Sequence, residues 1–404
     1  MTGQQTAVVA GGGIAGLAAA VALRQAGWPV TVLERAPAFK EVGAALGFTG
    51  NGLAALGALG LAEQVRAAGQ LAPHAGFQDR RGRWLLRVPA TRPDRQGITT
   101  VCGIHRQRLH AVLRQAAEAA GADLFTGAEV TAVRPGTPGG EPAAVTWRTS
   151  SGEYTGQADL VVAADGVRSA VRAQLFPDVR PRYAGSTSWR AVISDTTLAG
   201  GLVEVWGPGT EFGALRVSDD QVYWYGEFVH PEGASFPDEL AAARAHFSSW
   251  APWIGALVAA TAPHQLMRHD VYHLPSGCPR YVSGRVVLIG DAAHAMLPTI
   301  GQGAATALED AVCAGRLIAT GPNLATALSA FDQSRRPRCQ KLARQAALIA
   351  RCGFELGPGW RQPLRNTLMR LIPAGPALRS GARITRWTPP ASPAHGSVLT
   401  SRSL

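Results

Sequence analysis

The sequence predicts an α/β fold: a Rossmann-like dinucleotide-binding domain, interrupted by an inserted, mostly β sheet and followed by a C-terminal helical segment. Three observations predict it. A strand, glycine turn, helix and second strand follow one another in "TAVVAGGGIAGLAAAVALRQAGWPVTVLER". Two later strands end in polar turns that lead into helices, in "LVVAADGVRSAVR" and "VVLIGDAAHAMLPTIGQGAATALEDA". Between those two, the pattern changes to short alternating runs rich in aromatics. A chain of 404 residues with 46% hydrophobic content is long enough to bury the large core this requires.

Residues 6–10 form a short apolar run that suits a buried parallel strand. Gly11, Gly13 and Gly16 then give GxGxxG, and Ile14, Leu17, Ala18, Val21 and Ala22 lay an apolar stripe along the following helix. Gly11 permits the tight turn, Gly13 lets backbone approach a pyrophosphate, and Gly16 lets helix and strand pack closely. The helix start offers unpaired N–H groups and a positive dipole end. "PVTVLER" is the second strand, and it ends in Glu34, placed to accept hydrogen bonds from ribose hydroxyls. A bare GxGxxG is weak evidence. The full order of strand, helix, strand and terminal acid predicts dinucleotide binding.

In the two later segments the layout recurs. One strand ends in Asp165-Gly166 and leads to Ser169 and Arg172 on a helix; the other ends in Gly290-Asp291, with Gly301 and Gly303 before the next helix. A strand ending in Asp-Gly is by itself an ordinary turn. The three segments together resemble the single-component (class A) flavoprotein monooxygenases, the para-hydroxybenzoate-hydroxylase-like family, over most of residues 5–340. The resemblance implies that the first turn cradles the ADP half of FAD, that Asp291 contacts its ribose or ribityl part, and that the Asp165 motif lies beside it and serves NAD(P)H use. It implicates Gly11, Gly13, Ala15, Gly16, Glu34, Arg35, Asp165, Asp291, Gly301, Gly303 and Ala304 in cofactor binding. "GIHRQRLHAVL" is similar to the family's arginine-led helix and adds Arg106, with a surface arginine at a helix start as the plainer reading. "EVGAALGFTGNGLAALGALGL" resembles its flavin-covering loop, with Gly50 where a proline is common before Asn51.

The same resemblance implies the activity: NAD(P)H and O2 are used to hydroxylate or epoxidise a small aromatic or polycyclic substrate, through a flavin C4a-hydroperoxide. FAD would be tight but non-covalent, and NAD(P)H a transient co-substrate. Two alternatives stay open at this point, a flavin dehydrogenase or reductase without oxygen insertion, and a non-catalytic binding protein on the same fold. Disulfide reductases would need a CxxC and a second GxGxxG, and the sequence has neither.

The inserted runs carry Trp189, Trp206, Phe212, Tyr223, Trp224, Tyr225 and Phe228. Most such aromatics are sheet core. Alternation over residues 222–228 nevertheless places Tyr223 and Tyr225 on the face opposite Trp224, which makes that face a candidate pocket wall. Tyr223, Arg216 and Arg190 are the candidates for orienting or activating substrate, and Pro298 is expected on the flavin's oxygen side. His269, His273 and His294 show no metal-ligand spacing with carboxylates or thiols; His294 is expected to brace its loop.

The expected division is residues 1–180 and 276–330 for a discontinuous FAD-binding domain, 181–275 for the substrate-binding sheet, and 331–404 for helices with a flexible tail. That last segment holds 13 Lys/Arg and 2 Asp/Glu, the whole of the net charge of +11. Solvated helix faces are the plain reading, with contact to an anionic membrane or a homodimer partner as the others. Nothing predicts nucleic-acid binding. Five scattered cysteines without CxxC, no long apolar span and no basic leader point to a cytoplasmic protein with reduced thiols, a monomer or homodimer.

Overall fold

Strand Ala7–Ala10 is short and apolar, and it lies buried between two parallel neighbours, Leu160–Ala163 and Val30–Leu33. Val286–Leu288 extends this parallel sheet beyond Leu160–Ala163, and Asp123–Phe125 extends it beyond Val30–Leu33. With Val282–Ser283 at one edge the sheet has six strands among the described residues. Such strands must be covered on both faces. Helix Ile14–Gln25 packs against helices Arg106–Ala119 and Gly303–Thr320 to cover one face. The approach to the Gly303 helix is close enough that a Cβ on Gly315 would lie 2.7 Å from Ala22. A separate three-stranded antiparallel sheet, Glu129–Arg134, Ala143–Thr149 and Gly152–Ala158, leads into the strand that ends at Ala163. The computed structural model describes residues 5–39, 43–88, 100–195, 197–198 and 200–391.

Among the described residues the second large sheet has nine strands. Arg182–Ser194, Leu202–Gly207, Thr210–Arg216, Gln221–Val229 and Met267–His273 come from the segment expected to form it. Four others come from the first part of the chain: Ala45–Phe48, Gln70–Asp79, Trp84–Arg87 and Thr100–His105. The boundary at 180/181 therefore does not separate the two sheets. Gln70–Asp79 pairs in parallel with Leu202–Gly207, a junction that local periodicity cannot announce. The insertion also holds two helices, Glu239–Phe247 and Pro252–Ala259, which cover one face of this sheet. The first is capped by Asp238, whose side chain accepts from the Ala241 N–H, and the second starts on Pro252, as the missing N–H of proline allows.

The division expected at 330/331 falls inside a single helix, Leu324–Cys352, of 29 residues. Asn323 starts it by accepting from the Thr326 N–H, and Pro337 lies within it. Its first half packs on the core beneath the parallel sheet through Leu328, Phe331 and Cys339, and its second half meets Trp206 of the other sheet through Ala346 and Ala350. Helices Arg361–Leu371 and Ala374–Thr385 follow. The tail expected to be flexible, residues 392–404, lies outside the described residues. All five cysteines are free, four of them buried. No described helix is long and apolar enough to cross a membrane.

Candidate active site

The three motifs meet at the carboxyl ends of adjacent parallel strands, the place where open α/β sheets bind ligands. Contact between them is direct. Gly11 has φ +103°, and a Cβ there would lie 2.5 Å from the carbonyl oxygen of Ala164. A Cβ on Gly16 would lie 1.9 Å from the oxygen of Gly11. Gly290 has φ +57°, and its Cβ would press on Ala15 and Ala307 at 3.0 and 3.2 Å. Arg172, 1% exposed, donates to the carbonyls of Val167 (2.5 Å), Val179 (3.3 Å) and Ala292 (3.0 Å), which ties the second motif to the third.

Other positions along this edge are open. A Cβ added at Gly13, Gly301 or Gly303 meets nothing within 4 Å. The helices beginning at Ile14 and Gly303 have no side-chain cap, so their first N–H groups, including those of Ala15 and Ala304, point out without a cap oxygen. Asp165 Oδ1 and Thr299 Oγ1 are buried with no hydrogen-bond partner among the described residues. Glu34 accepts from the N–H groups of Gly12 (2.6 Å) and Ala36 (2.8 Å), so it fixes the glycine turn from the end of the neighbouring strand. Arg35 and Asp291 are exposed. Arg106 opens its helix; its side chain lies against Gly43 and its N–H donates to Ala44. One turn further along that helix, His110 Nε2 lies 2.8 Å from the oxygen of Gly12. His110 went unnoticed in the sequence, although its i, i+4 spacing from Arg106 places both on one helix face.

Beyond this edge stands the second sheet, and its two faces differ. Trp189, Phe212, Trp224 and Phe228 turn toward the two covering helices and form an apolar core with Phe247 and Ile254. The other face carries Tyr223, Tyr225 and Glu227 from one strand, with Arg190 opposite Tyr225 and Glu211 opposite Glu227. Tyr223 packs with Ala44, Ala45 and Val217, and its ring centroid is 5.9 Å from that of Tyr225. Trp206, at the other end of this face, packs with Leu297 and Ile300, which bracket Pro298. Arg190 Nε donates to Ser188 Oγ at 3.2 Å, and Tyr225 OH donates to Glu204 Oε1 at 3.3 Å.

Charge on this face is shaped by burial. Glu211 and Glu227 are 3% and 1% exposed. Burial, then the charge of Glu227, pushes Glu211 well above the usual carboxyl range, against Trp206 and Arg190. Burial pushes Glu227 up to about 7, while the hydroxyl of Ser186, donating at 2.6 Å, and Arg190 pull it down. Burial followed by Glu204 and Glu211 raises Tyr225 well above the ordinary phenol value, and burial also raises Tyr223. His269 is lowered by burial and by Arg190 and Arg106. Burial thus favours the uncharged forms of these acids and phenols around Arg190.

A family model described as FAD binding domain matches residues 4–346. The chain belongs to that family, the class A FAD-dependent monooxygenases. It is 36% identical over 375 residues to the aurachin C monooxygenase/isomerase of Stigmatella aurantiaca, covering 91% of this chain and 94% of the relative. It is 33% identical over 383 residues to the 2-heptyl-3-hydroxy-4(1H)-quinolone synthase of Pseudomonas aeruginosa (strain UCBPP-PA14), covering 91% and 94%. Among solved structures it is similar to Klebsiella pneumoniae HpxO complexed with FAD and uric acid, with TM-score 0.83, 26% identity, and coverage of 95% and 97%. This monooxygenase takes FAD as its cofactor, and NAD(P)H and O2 are the co-substrates of its class. The residues present suit that cofactor: uncapped N–H groups and glycines without Cβ on the open edge match phosphates and a flat ring, and buried orphan oxygens await donors.

Around Asn51 the monooxygenase has a buried polar network that the sequence did not reveal. Asn51, 1% exposed, donates to Gln302 (2.8 Å) and Glu309 (2.7 Å), and Thr49 donates to Asn51. Glu309 also pairs with Arg335 and Arg338, each at 2.7 Å. Asp310 accepts from Arg335 Nε and from the Gly290 N–H, and His294 Nε2 lies 2.5 Å away. Burial would raise Asp310, but His294 and Arg335 outweigh it and hold the carboxyl down at about 2. The fold brings His294 to a carboxylate and a thiol that its sequence spacing does not show, with ligand atoms of His294, Asp310 and Cys339 all within 4.8 Å of one another. The Arg335 guanidinium, donating to Asp310 and reaching Cys339 Sγ at 3.6 Å, adds positive charge there beside His294.

Arg216 is a correction. Its guanidinium donates to the carbonyls of Leu198, Asp195 and Asp219, so it clamps the loops at the sheet end instead of facing substrate. The two glutamates went unremarked, although the alternation that grouped Tyr223 with Tyr225 carries on to Glu227.

Proposed function

We propose that this monooxygenase hydroxylates a fused heteroaromatic ring of the 4-quinolone type, at the carbon beside the ring carbonyl. One observation carries the reading: a single buried face presents Arg190, the Glu211–Glu227 pair and the Tyr223–Tyr225 pair together. A quinolone offers one N–H donor, one carbonyl acceptor and a flat apolar body. The carboxyl pair would accept the N–H, Arg190 would donate to the carbonyl, and Tyr223 would pack against the ring. The name of the Pseudomonas relative specifies a 3-hydroxy-4(1H)-quinolone, which supports this choice.

In this reading FAD lies along the carboxyl edge of the parallel sheet. Gly11, Gly13, Ala15 and Gly16 would hold its pyrophosphate, Glu34 and Arg35 its adenosine ribose, Asp165 and Asp291 its polar chain, and Gly301, Gly303 and Ala304 its ring edge, with Arg106 alongside. When bound, FAD supplies the hydride acceptance and the oxygen activation. Withdrawing the ring N–H proton toward the carboxyl pair raises electron density at the carbon to be hydroxylated, within hydrogen-bond reach as acid–base catalysis requires. Pro298 and the loop around it would close the oxygen side, and the apolar packing of Tyr223 on Ala44 and Ala45 would exclude water there. The five free thiols support a cytoplasmic location.

The test is substrate-dependent consumption of NADH or NADPH with a 2-alkyl-4-quinolone, under isotope-labelled O2. Labelled oxygen in a 3-hydroxy product supports the proposal. Consumption without labelled product would mark the quinolone as an effector that is not hydroxylated, and no stimulation would reject the quinolone class.

A further inference from the structure

Helix Arg361–Leu371 turns most of its large apolar side chains away from the protein. Its inward side is mixed: Met369 packs with Trp206 and Phe354, while Arg365, 9% exposed, donates to the Gly353 carbonyl at 2.6 Å and lies over the Trp206 ring at 5.3 Å. Gln362, on the same side, donates to Leu356 at 2.7 Å. The outward side is apolar. Trp360, Leu364, Leu368, Leu371 and Ile372 are 71%, 47%, 55%, 71% and 44% exposed. At about 100° per residue, the first four fall within about 80° of one another, a continuous stripe.

Charge accompanies the stripe. No acidic residue follows Glu355, whereas seven arginines do; of these Arg361, Arg383 and Arg386 are exposed, Arg365 is buried, and Arg370 pairs with Asp79 at 3.2 Å. Arg361 is exposed beside Trp360. On the preceding helix Leu348 is 61% exposed, with Arg344 and Arg351 exposed at neighbouring turns. An apolar stripe led by tryptophan and set among arginines, on a helix of 11 residues that is too short to span, is the composition of an interfacial helix. A second copy of the chain suits it less, because two such segments would bring arginines against arginines with no carboxylate of their own to offset them.

We propose that helix Arg361–Leu371 lays the monooxygenase on an anionic lipid bilayer, with the leucine stripe at the acyl boundary and the arginines among the phosphates. This does not depend on which ring the enzyme hydroxylates. Anchoring is peripheral and salt-sensitive, since much of the attraction acts over a Debye length.

Co-sedimentation of the FAD-loaded enzyme with phosphatidylcholine vesicles, with and without phosphatidylglycerol, tests it. Binding should be roughly tenfold stronger with phosphatidylglycerol and should fall with added salt. The double replacement L364D/L368D should weaken it roughly tenfold again while the protein keeps its flavin colour and its NAD(P)H turnover. If that variant misfolds, W360S alone, at an exposed position ahead of the helix, should still weaken binding. Failure to bind either vesicle, or binding unaltered by these replacements, would overturn the proposal. So would a dimer in sedimentation equilibrium that L364D/L368D dissociates, with no vesicle binding by either form.

Discussion

Glu211 and Glu227 stand directly opposite each other on neighbouring antiparallel strands, both almost wholly buried. Two carboxyls so placed do not both ionise at neutral pH, and they titrate as a unit. Their folded values lie above the ordinary 4.5, Glu227 at about 7, so the folded protein holds the proton more tightly than the unfolded chain. Stability from this pair is therefore greatest below about 4.5 and declines as pH rises toward about 7. Glu227→Gln should flatten the slope across that window. Thermal denaturation at a series of pH values reads it directly, and equal slopes in the two proteins would refute it.

Tyr223 should act through its hydroxyl. Tyr223→Phe keeps the packing on Ala44, Ala45 and Val217 and should lower hydroxylation about tenfold, the worth of one hydrogen bond in the reacting complex. NAD(P)H consumption should persist, with peroxide released in place of product. Unchanged coupling of product to NAD(P)H would remove Tyr223 from the site.

Gly290 and Asp291 separate structure from ligand binding. Gly290→Ala places a Cβ against Ala15 and Ala307 at φ +57°, and should cost about 1–3 kcal/mol of stability. Asp291→Ala, at an exposed position, should leave stability without FAD near wild type while the protein loses flavin on gel filtration. A yellow, fully loaded Asp291→Ala protein would contradict the assignment.

Arg335 is 1% exposed and pairs with both Glu309 and Asp310. Arg335→Met leaves two buried carboxylates short of a cation and should cost about 3–5 kcal/mol. Flavin affinity should fall too, because Asp310 holds the Gly290 N–H and Glu309 holds Asn51. Denaturant titration and flavin fluorescence measure the two effects.

What the sequence made legible was local. Gly11, Gly16 and Gly290 announce themselves because no other residue fits their backbone or their neighbours, and alternation separated Tyr223 from Trp224 correctly. Features that depend on distant pairing stayed hidden. Asn51 and Glu309 lie 258 positions apart, and nothing near Asn51 signals its partner. Glu211 meets Glu227 only through hairpin register, and the strands at 45–48, 70–79, 84–87 and 100–105 join the second sheet from a part of the chain that reads as the first domain. Arg216 looked catalytic because an arginine beside aromatics has two uses, and only the carbonyls around it decide between them.

The helix Leu324–Cys352 has a practical consequence for dissecting the enzyme. At 29 residues it is about 43 Å long, a strut whose two ends are bolted to different sheets. Fragments split at residue 330 would sever the strut and should not reassemble, whereas a break in the connector at 355–359 would spare it. Any rocking of one sheet against the other has to flex this bar, and Pro337, where a backbone hydrogen bond is already missing, is its softest joint.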